Sequence, residues 1–182
     1  MSPSAEEAAQ ALRAIDAIKA RAAGFQDYQA ESNQLILWGS AHIIGFVLTA
    51  LLPDFILLIW FTVIALALAL GVFMAVHADT GIPGIGWRYL ALIGAIIVFY
   101  VGMTILMQPI TAEQSALISP MFVSTLYVLR GVQFRSRYIL IGVLVVILCL
   151  AGYLLLLPYF WWWMAFSYGG TFLVFGLWLR RH

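Results

Sequence analysis

The stretch RYILIGVLVVILCLAGYLLLLP, residues 137–158, decides the fold. After Arg137 it carries no charge, and its length matches the ~20 residues that cross a ~30 Å hydrocarbon core as helix. Backbone groups in lipid must find partners within their own segment, so a continuous apolar run of this length means helix rather than strand. Pro158 ends the run, and PYFWWWMAFSYGG, residues 158–170, opens another almost at once. So short a break predicts a tight antiparallel turn.

Working outward, the same reading finds six apolar runs: Leu35–Leu52, Phe55–Val76, Arg88–Gln108, a more polar one over Glu113–Leu129, Tyr138–Leu157 and Tyr159–Leu179. Pro53 and Pro109 break runs one–two and three–four as Pro158 breaks five–six. RYLALIGAIIVFYVGMTILMQP, residues 88–109, matches residues 137–158 at its first two residues and its last. This is a weak internal repeat that duplication or shared hairpin physics would produce equally well. The expectation is an all-α polytopic membrane protein: a bundle of six transmembrane helices, arranged as three helix–Pro–helix hairpins, over residues 34–182.

Composition points the same way. The 182 residues are 64% hydrophobic and only 9% charged, against about 25% charged in a soluble domain. A formal net charge of +1 gives no reason to expect nucleic-acid binding. The single cysteine, Cys149, lies in an apolar run and reads as a small buried residue. No Cys/His spacing suggests a metal site, and no cofactor is expected.

Residues 1–33 are polar and precede the first long apolar run, an order that suits a retained first span rather than a cleaved signal peptide. Ser4 and Glu7 match a capping box. Ala5–Ala23 then reads as a short cytoplasmic amphipathic helix, with Leu12, Ile15 and Ile18 on its apolar side and Gly24 as its stop. It either lies along the interface or docks on other protein, and a protein partner through this helix is its functional version.

Six spans would place all nine basic residues (Arg13, Lys19, Arg21, Arg88, Arg130, Arg135, Arg137, Arg180 and Arg181) on the side of the two termini. The positive-inside rule then puts both termini in the cytoplasm, in a cell membrane of the bacterial inner-membrane kind.

That topology gives the aromatic residues a depth. Trp161, Trp162 and Trp163 begin the last helix at the non-cytoplasmic interface, where amphipathic rings are favoured. At ~100° per residue they sweep about 200° and cannot all face one pocket, so anchoring is preferred to a ligand cage. Trp38, Trp87 and Trp178, with Tyr138, form the matching cytoplasmic belt. Gly169 and Gly170, with Gly176 beyond, are small residues that let helices approach closely, either within the chain or in a homo-oligomer. Gly45, Gly71, Gly94, Gly102, Gly142 and Gly152 read the same way.

Candidate polar intramembrane positions are few. Trp38, His42, Gly45 and Thr49 share one face of the first span, with Gln34 below. His42 either relays protons or bonds a neighbouring helix. Ser119 and Ser124 flank Pro120 in the fourth run, where a proline frees carbonyls that could meet an ion or substrate. GIPGIG, residues 81–86, follows no strand and reads as a loop flanked by His77 and Asp79, not a nucleotide fingerprint. No catalytic constellation is evident, and Glu113 alone does not supply one, so an enzyme is not expected. The function expected is an interaction, accessory or regulatory membrane component. The alternative is a small oligomeric transporter or channel using the polar faces of helices 1 and 4.

GYLLLLPYFWWWMAFSYGGTFLVFGLWLRR, residues 152–181, resembles the C-terminal hairpin of uncharacterised bacterial multi-pass inner-membrane proteins, with an aromatic turn, a WMA before paired glycines and a terminal GLWLRR-like stop. LILWGSAHIIGFVLTALLP, residues 35–53, looks like their opening helix. The three-hairpin plan is also similar to the acid-resistance membrane protein family of bacteria. These resemblances imply topology and carry no activity.

Overall fold

The computed structural model describes residues 5–77, 85–108, 110–133 and 136–181, and all of its regular structure is helical. The elements are α1 (Ala5–Leu51), a 3-10 turn (Pro53–Phe55), α2 (Ile56–His77), α3 (Ile85–Leu106), α4 (Ala112–Gln133) and α5 (Arg137–Leu155). A second 3-10 turn (Leu157–Tyr159), α6 (Phe160–Met164), a π turn (Ala165–Gly169) and α7 (Gly170–Arg180) complete them. Five segments among them are long and apolar enough to cross a membrane: Glu31–Leu51, Pro53–His77, Tyr89–Leu106, Ala112–Val132 and Arg137–Leu155.

The turns follow local chemistry. Pro53 and Pro158 each sit in a 3-10 turn that the missing proline N–H permits, and Phe55 and Tyr159 close these turns on the carbonyls of Leu52 and Leu156. TAEQ, residues 111–114, starts α4 by a reciprocal cap: the Gln114 N–H donates to Thr111 Oγ1 at 3.2 Å, and the Thr111 N–H donates to Gln114 Oε1 at 3.1 Å. Pro120 lies inside α4 without ending it. The Ser4–Glu7 cap, the 78–84 part of the glycine-rich loop with Asp79, and Pro109 fall outside the described residues.

One expectation is corrected. Gly24 does not stop a helix: α1 runs unbroken from Ala5 to Leu51. Glycine inside a helix costs only about 1 kcal/mol relative to alanine, which good helix formers on both sides can absorb. The most extensive backbone packing joins α1 to the C-terminal helical stretch, and α4 to α5.

Glycine explains both crossings. A Cβ on Gly39 would stand 2.7 Å from the Leu173 backbone nitrogen and 2.9 Å from the Gly169 oxygen. One on Gly169 would stand 2.9 Å from the Ile43 nitrogen and 3.0 Å from the Gly39 oxygen, and one on Gly176 would meet Ile36. In the other pair, a Cβ on Gly142 would lie 2.6 Å from the Ser124 carbonyl oxygen, and one on Gly131 would lie 2.5 Å from the Ile139 nitrogen. Without a hydrophobic drive between helices in lipid, such close van der Waals approach is what holds them. Gly170 departs from the expectation: a Cβ there meets nothing within 4 Å, and the same holds for Gly94 and Gly102. The glycine that packs opposite Gly169 is Gly39.

The core lies among α1, α4, α5 and the C-terminal stretch, around Phe46, Ile141, Val145, Cys149, Phe160, Met164, Tyr168 and Phe172. By contrast α3 is scarcely buried and α2 little more so, and both present large apolar side chains outward, as helices in lipid do.

Candidate functional site

Two polar groupings stand out, one within the span of α1 and one at its start. The first surrounds His42. The α-helical period stacks Trp38, His42 and Phe46 along one face of α1. Trp60 from α2 and Tyr168 from the π turn close on it. The His42 ring lies 4.7 Å from the Tyr168 ring, edge to face, and 5.8 Å from Trp60. Phe46 packs on Trp60 at 4.8 Å. Such tilted and edge-on contacts suit aromatic quadrupoles. His42 Nδ1 is 2.7 Å from the Trp38 carbonyl oxygen, so its polar contact is to its own helix, one turn back. Tyr168 lies within the π turn, whose wider winding turns that side chain through a smaller angle than a regular helix would.

Just below, the Trp38 indole N–H donates to the Tyr89 hydroxyl at 2.9 Å, and Gln34 Nε2 donates to the Gly71 carbonyl at 2.9 Å. The Tyr89 hydroxyl sits close over Gly71: a Cβ there would stand 2.1 Å from its oxygen, so the tyrosine would have to move aside. These contacts tie α1, α2 and α3 together.

The second grouping is Glu31, Arg130 and Tyr138. The Arg130 guanidinium donates to one carboxylate oxygen of Glu31 and the Tyr138 hydroxyl donates to the other. Arg130 also sits over the Tyr138 ring, 5.4 Å from its centroid. Glu31 is only 19% exposed, and Tyr138 is buried. Nearby, the Ser32 hydroxyl donates to the Gly176 carbonyl at 2.7 Å, and Arg137 lies 5.0 Å over the Trp178 ring. The starts of α3 and α5, the ends of α4 and α7, and the Glu31–Trp38 part of α1 therefore lie at one end of the bundle, which we call the basic end.

The candidate positions of helices 1 and 4 are not brought together. Thr49 is buried and its hydroxyl donates to the Gly45 carbonyl at 2.8 Å. Ser124 is buried and donates to the Pro120 carbonyl at 2.6 Å. Each satisfies itself on its own helix, four residues back. Ser119 is half-buried. At the opposite end Gln114 donates to the Tyr153 hydroxyl at 2.9 Å, and Tyr100 and Ser115 share a hydrogen bond of 2.8 Å. Among the described residues no group of three His, Cys, Asp or Glu side chains is placed to hold a metal ion.

The tryptophans divide by contact. Trp161 packs toward Phe46 on α1, Trp163 donates its indole N–H to the Leu148 carbonyl on α5 at 2.8 Å, and Trp162 points outward at 41% exposure. Trp87 is exposed, whereas Trp38 and Trp178 are engaged by Tyr89 and Arg137. Trp163 also fills the space left by Gly152, whose Cβ would stand 2.3 Å from the indole. We therefore expect Trp162→Phe to change stability by no more than about 0.5 kcal/mol. Trp163→Phe, which loses a cross-helix hydrogen bond, should cost about 1 kcal/mol. Thermal unfolding of the detergent-solubilised protein measures the difference.

Sequence reasoning missed Trp60, Tyr168, Glu31 and Gly39. Glu31 carried a readable signal: an acid one turn before an apolar run, level with the arginines that begin or end other helices. Trp60 and Tyr168 carried none, because their meeting depends on how α2 and the π turn pack on α1. No protein-family model, curated protein or solved structure matches the chain.

Proposed function

We propose that this chain is a non-enzymatic interaction or accessory component of the bacterial inner membrane, presenting the cytoplasmic part of α1 to a protein partner. In this reading α6, the π turn and α7 together form a sixth span, and both termini are cytoplasmic. The observation that carries it is the continuity of α1. At 1.5 Å per residue the stretch from Ala5 to Ala30 adds about 39 Å of helix to a span that already crosses the membrane. A continuous helix cannot both cross the bilayer and lie flat along it. The extension therefore stands away from the membrane, and it carries Leu12 at 64% and Ile15 at 48% exposure. A lone helix in water is marginally stable and gains most from burying an apolar face. Helix-in-groove docking is the interaction that such a face suits. The self-satisfied hydroxyls of Thr49 and Ser124 favour this reading over a transport path along helices 1 and 4.

Photo-crosslinking residues placed at Leu12 or Ile15 in living cells should give a discrete adduct, and at Glu6 or Gln10, on the other side of the helix, should not. Absence of an adduct at Leu12 and Ile15, together with solute flux in proteoliposomes, would replace the interaction reading by the transporter. Reporter fusions at either terminus should be active only as cytoplasmic reporters; a periplasm-active fusion at either end would remove the six-span topology.

A further inference from the structure

The two glycine crossings divide the bundle into two tightly packed pairs, α1 with the C-terminal stretch and α4 with α5. The pairs are joined differently at their two ends. Away from the basic end, α5 passes through the Leu157–Tyr159 turn directly into α6, Trp163 bonds the Leu148 carbonyl, and the Trp163 indole fills the gap over Gly152. That junction is covalent, short and closely packed. At the basic end the pairs are linked through side chains: Glu31 to Arg130 and Tyr138, Arg137 over Trp178, Tyr127 beside Phe172 at 5.5 Å, and the buried core shared by Leu35, Tyr138, Phe172 and Leu179.

We propose that Glu31 is a latch, which when closed holds α1 against α4 and α5 at the basic end and when open lets the two pairs part there about the Leu157–Tyr159 junction. The geometry shows the closed state and permits an open one. Closed, the carboxylate takes a charged donor from α4 and a hydroxyl donor from α5, one on each oxygen, and the donors support each other through the Arg130–Tyr138 contact. Charge-assisted bonds of this kind are among the stronger side-chain contacts. Open, neither charge is stranded in lipid, because Arg130 is already half exposed and Glu31 begins the span rather than lying within it. A pair at mid-membrane could not open without leaving a bare charge in hydrocarbon. Because α1 is one helix from Ala5 to Leu51, Glu31 lies on the same rod as the cytoplasmic extension, and force on the extension acts on the latch. The latch itself requires no partner to be bound.

The test uses the full chain in nanodiscs, with Cys149→Ala as background and paired spin labels. Val132→Cys with Leu177→Cys reads the basic end across the two pairs, and Leu51→Cys with Leu154→Cys reads the opposite end; all four positions are exposed. With Glu31 intact the basic-end distance should be a single short population. Glu31→Gln should add a longer one, with roughly a tenfold gain in the open fraction, the change expected for loss of a charged hydrogen bond. The opposite-end distance should stay unchanged. Tyr138→Phe, which keeps the ring beneath Arg130 and removes only the hydroxyl, should give a smaller gain. The exchanged pair, Glu31→Arg with Arg130→Glu, should restore the short distance. An unchanged basic-end distribution in Glu31→Gln would overturn the latch. So would equal broadening at both ends, which would make Glu31 a general support of the fold.

Discussion

Gly39→Leu and Gly169→Leu should each destabilise the protein by about 3 kcal/mol or more, while Gly170→Leu, one residue along, should leave it nearly unchanged. Overpacking a well-filled interior costs about 1–3 kcal/mol when side chains can yield. At Gly39 the atoms in the way are the Leu173 nitrogen and Cα and the Gly169 oxygen, all backbone, so relief requires separating two helices. At Gly169 the Ile43 side chain could turn aside, but the Ile43 nitrogen and Gly39 oxygen could not. Separation in lipid forfeits contact along the whole crossing, including the Ser32 bond to the Gly176 carbonyl and the fit of Gly176 on Ile36. At Gly170 the new side chain enters open space. Gly170→Ala should even stabilise slightly, by up to about 1 kcal/mol, from helix propensity. Thermal melts of the detergent-solubilised variants decide this. Equal midpoints for Gly169→Leu and Gly170→Leu would mean that α1 and the C-terminal stretch do not pack as described.

That contrast also marks what the sequence could and could not convey. Long apolar runs and their proline breaks are local, and helix and turn formation depend on little else. Five of the apolar helices and the tight turns at Pro53 and Pro158 were therefore legible. Which helices pack together is not local. A hairpin at each proline turn is the economical expectation, but Gly39 with Gly169 and Gly176 joins the first helix closely to the last, and Gly131 with Gly142 joins α4 to α5 across a turn without proline. Gly169 and Gly170 look identical in a one-letter string, and only the π turn and its orientation separate a contact from an open position. The same limit applied to the candidate site. His42 was visible because a titratable residue in an apolar run is rare, but its setting depends on Trp60 and Tyr168, which arrive from other helices. Gly24 misled for a simpler reason: stopping a helix takes a capping geometry as well as a permissive residue, and none of that geometry interrupts α1.

The α4–α5 crossing should be as sensitive as the first, and independent of it. At Gly142 a Cβ would meet the Ser124 carbonyl oxygen at 2.6 Å, the Val128 Cγ2 at 2.6 Å and the Val128 nitrogen at 3.0 Å. Two of these three are backbone, and the Ser124 backbone is further fixed because its side chain donates to the Pro120 carbonyl. Even alanine is too large there, so Gly142→Ala should destabilise despite its better helix propensity, and Gly142→Leu should cost about 3 kcal/mol. The decisive measurement combines sites. Gly39 and Gly169 occupy each other's space, so the second alanine at that crossing should cost much less than the first, once the helices have already moved apart. Gly39→Ala with Gly142→Ala involves different pairs and shares none of the close contacts described, so the two effects should add within about 0.3–0.5 kcal/mol. Additivity in the second case and its failure in the first would establish the two pairs as separate packing units. If Gly39→Ala and Gly142→Ala instead fail to add, the helices move as a single unit, and a bundle divided into two pairs is the wrong description of the fold.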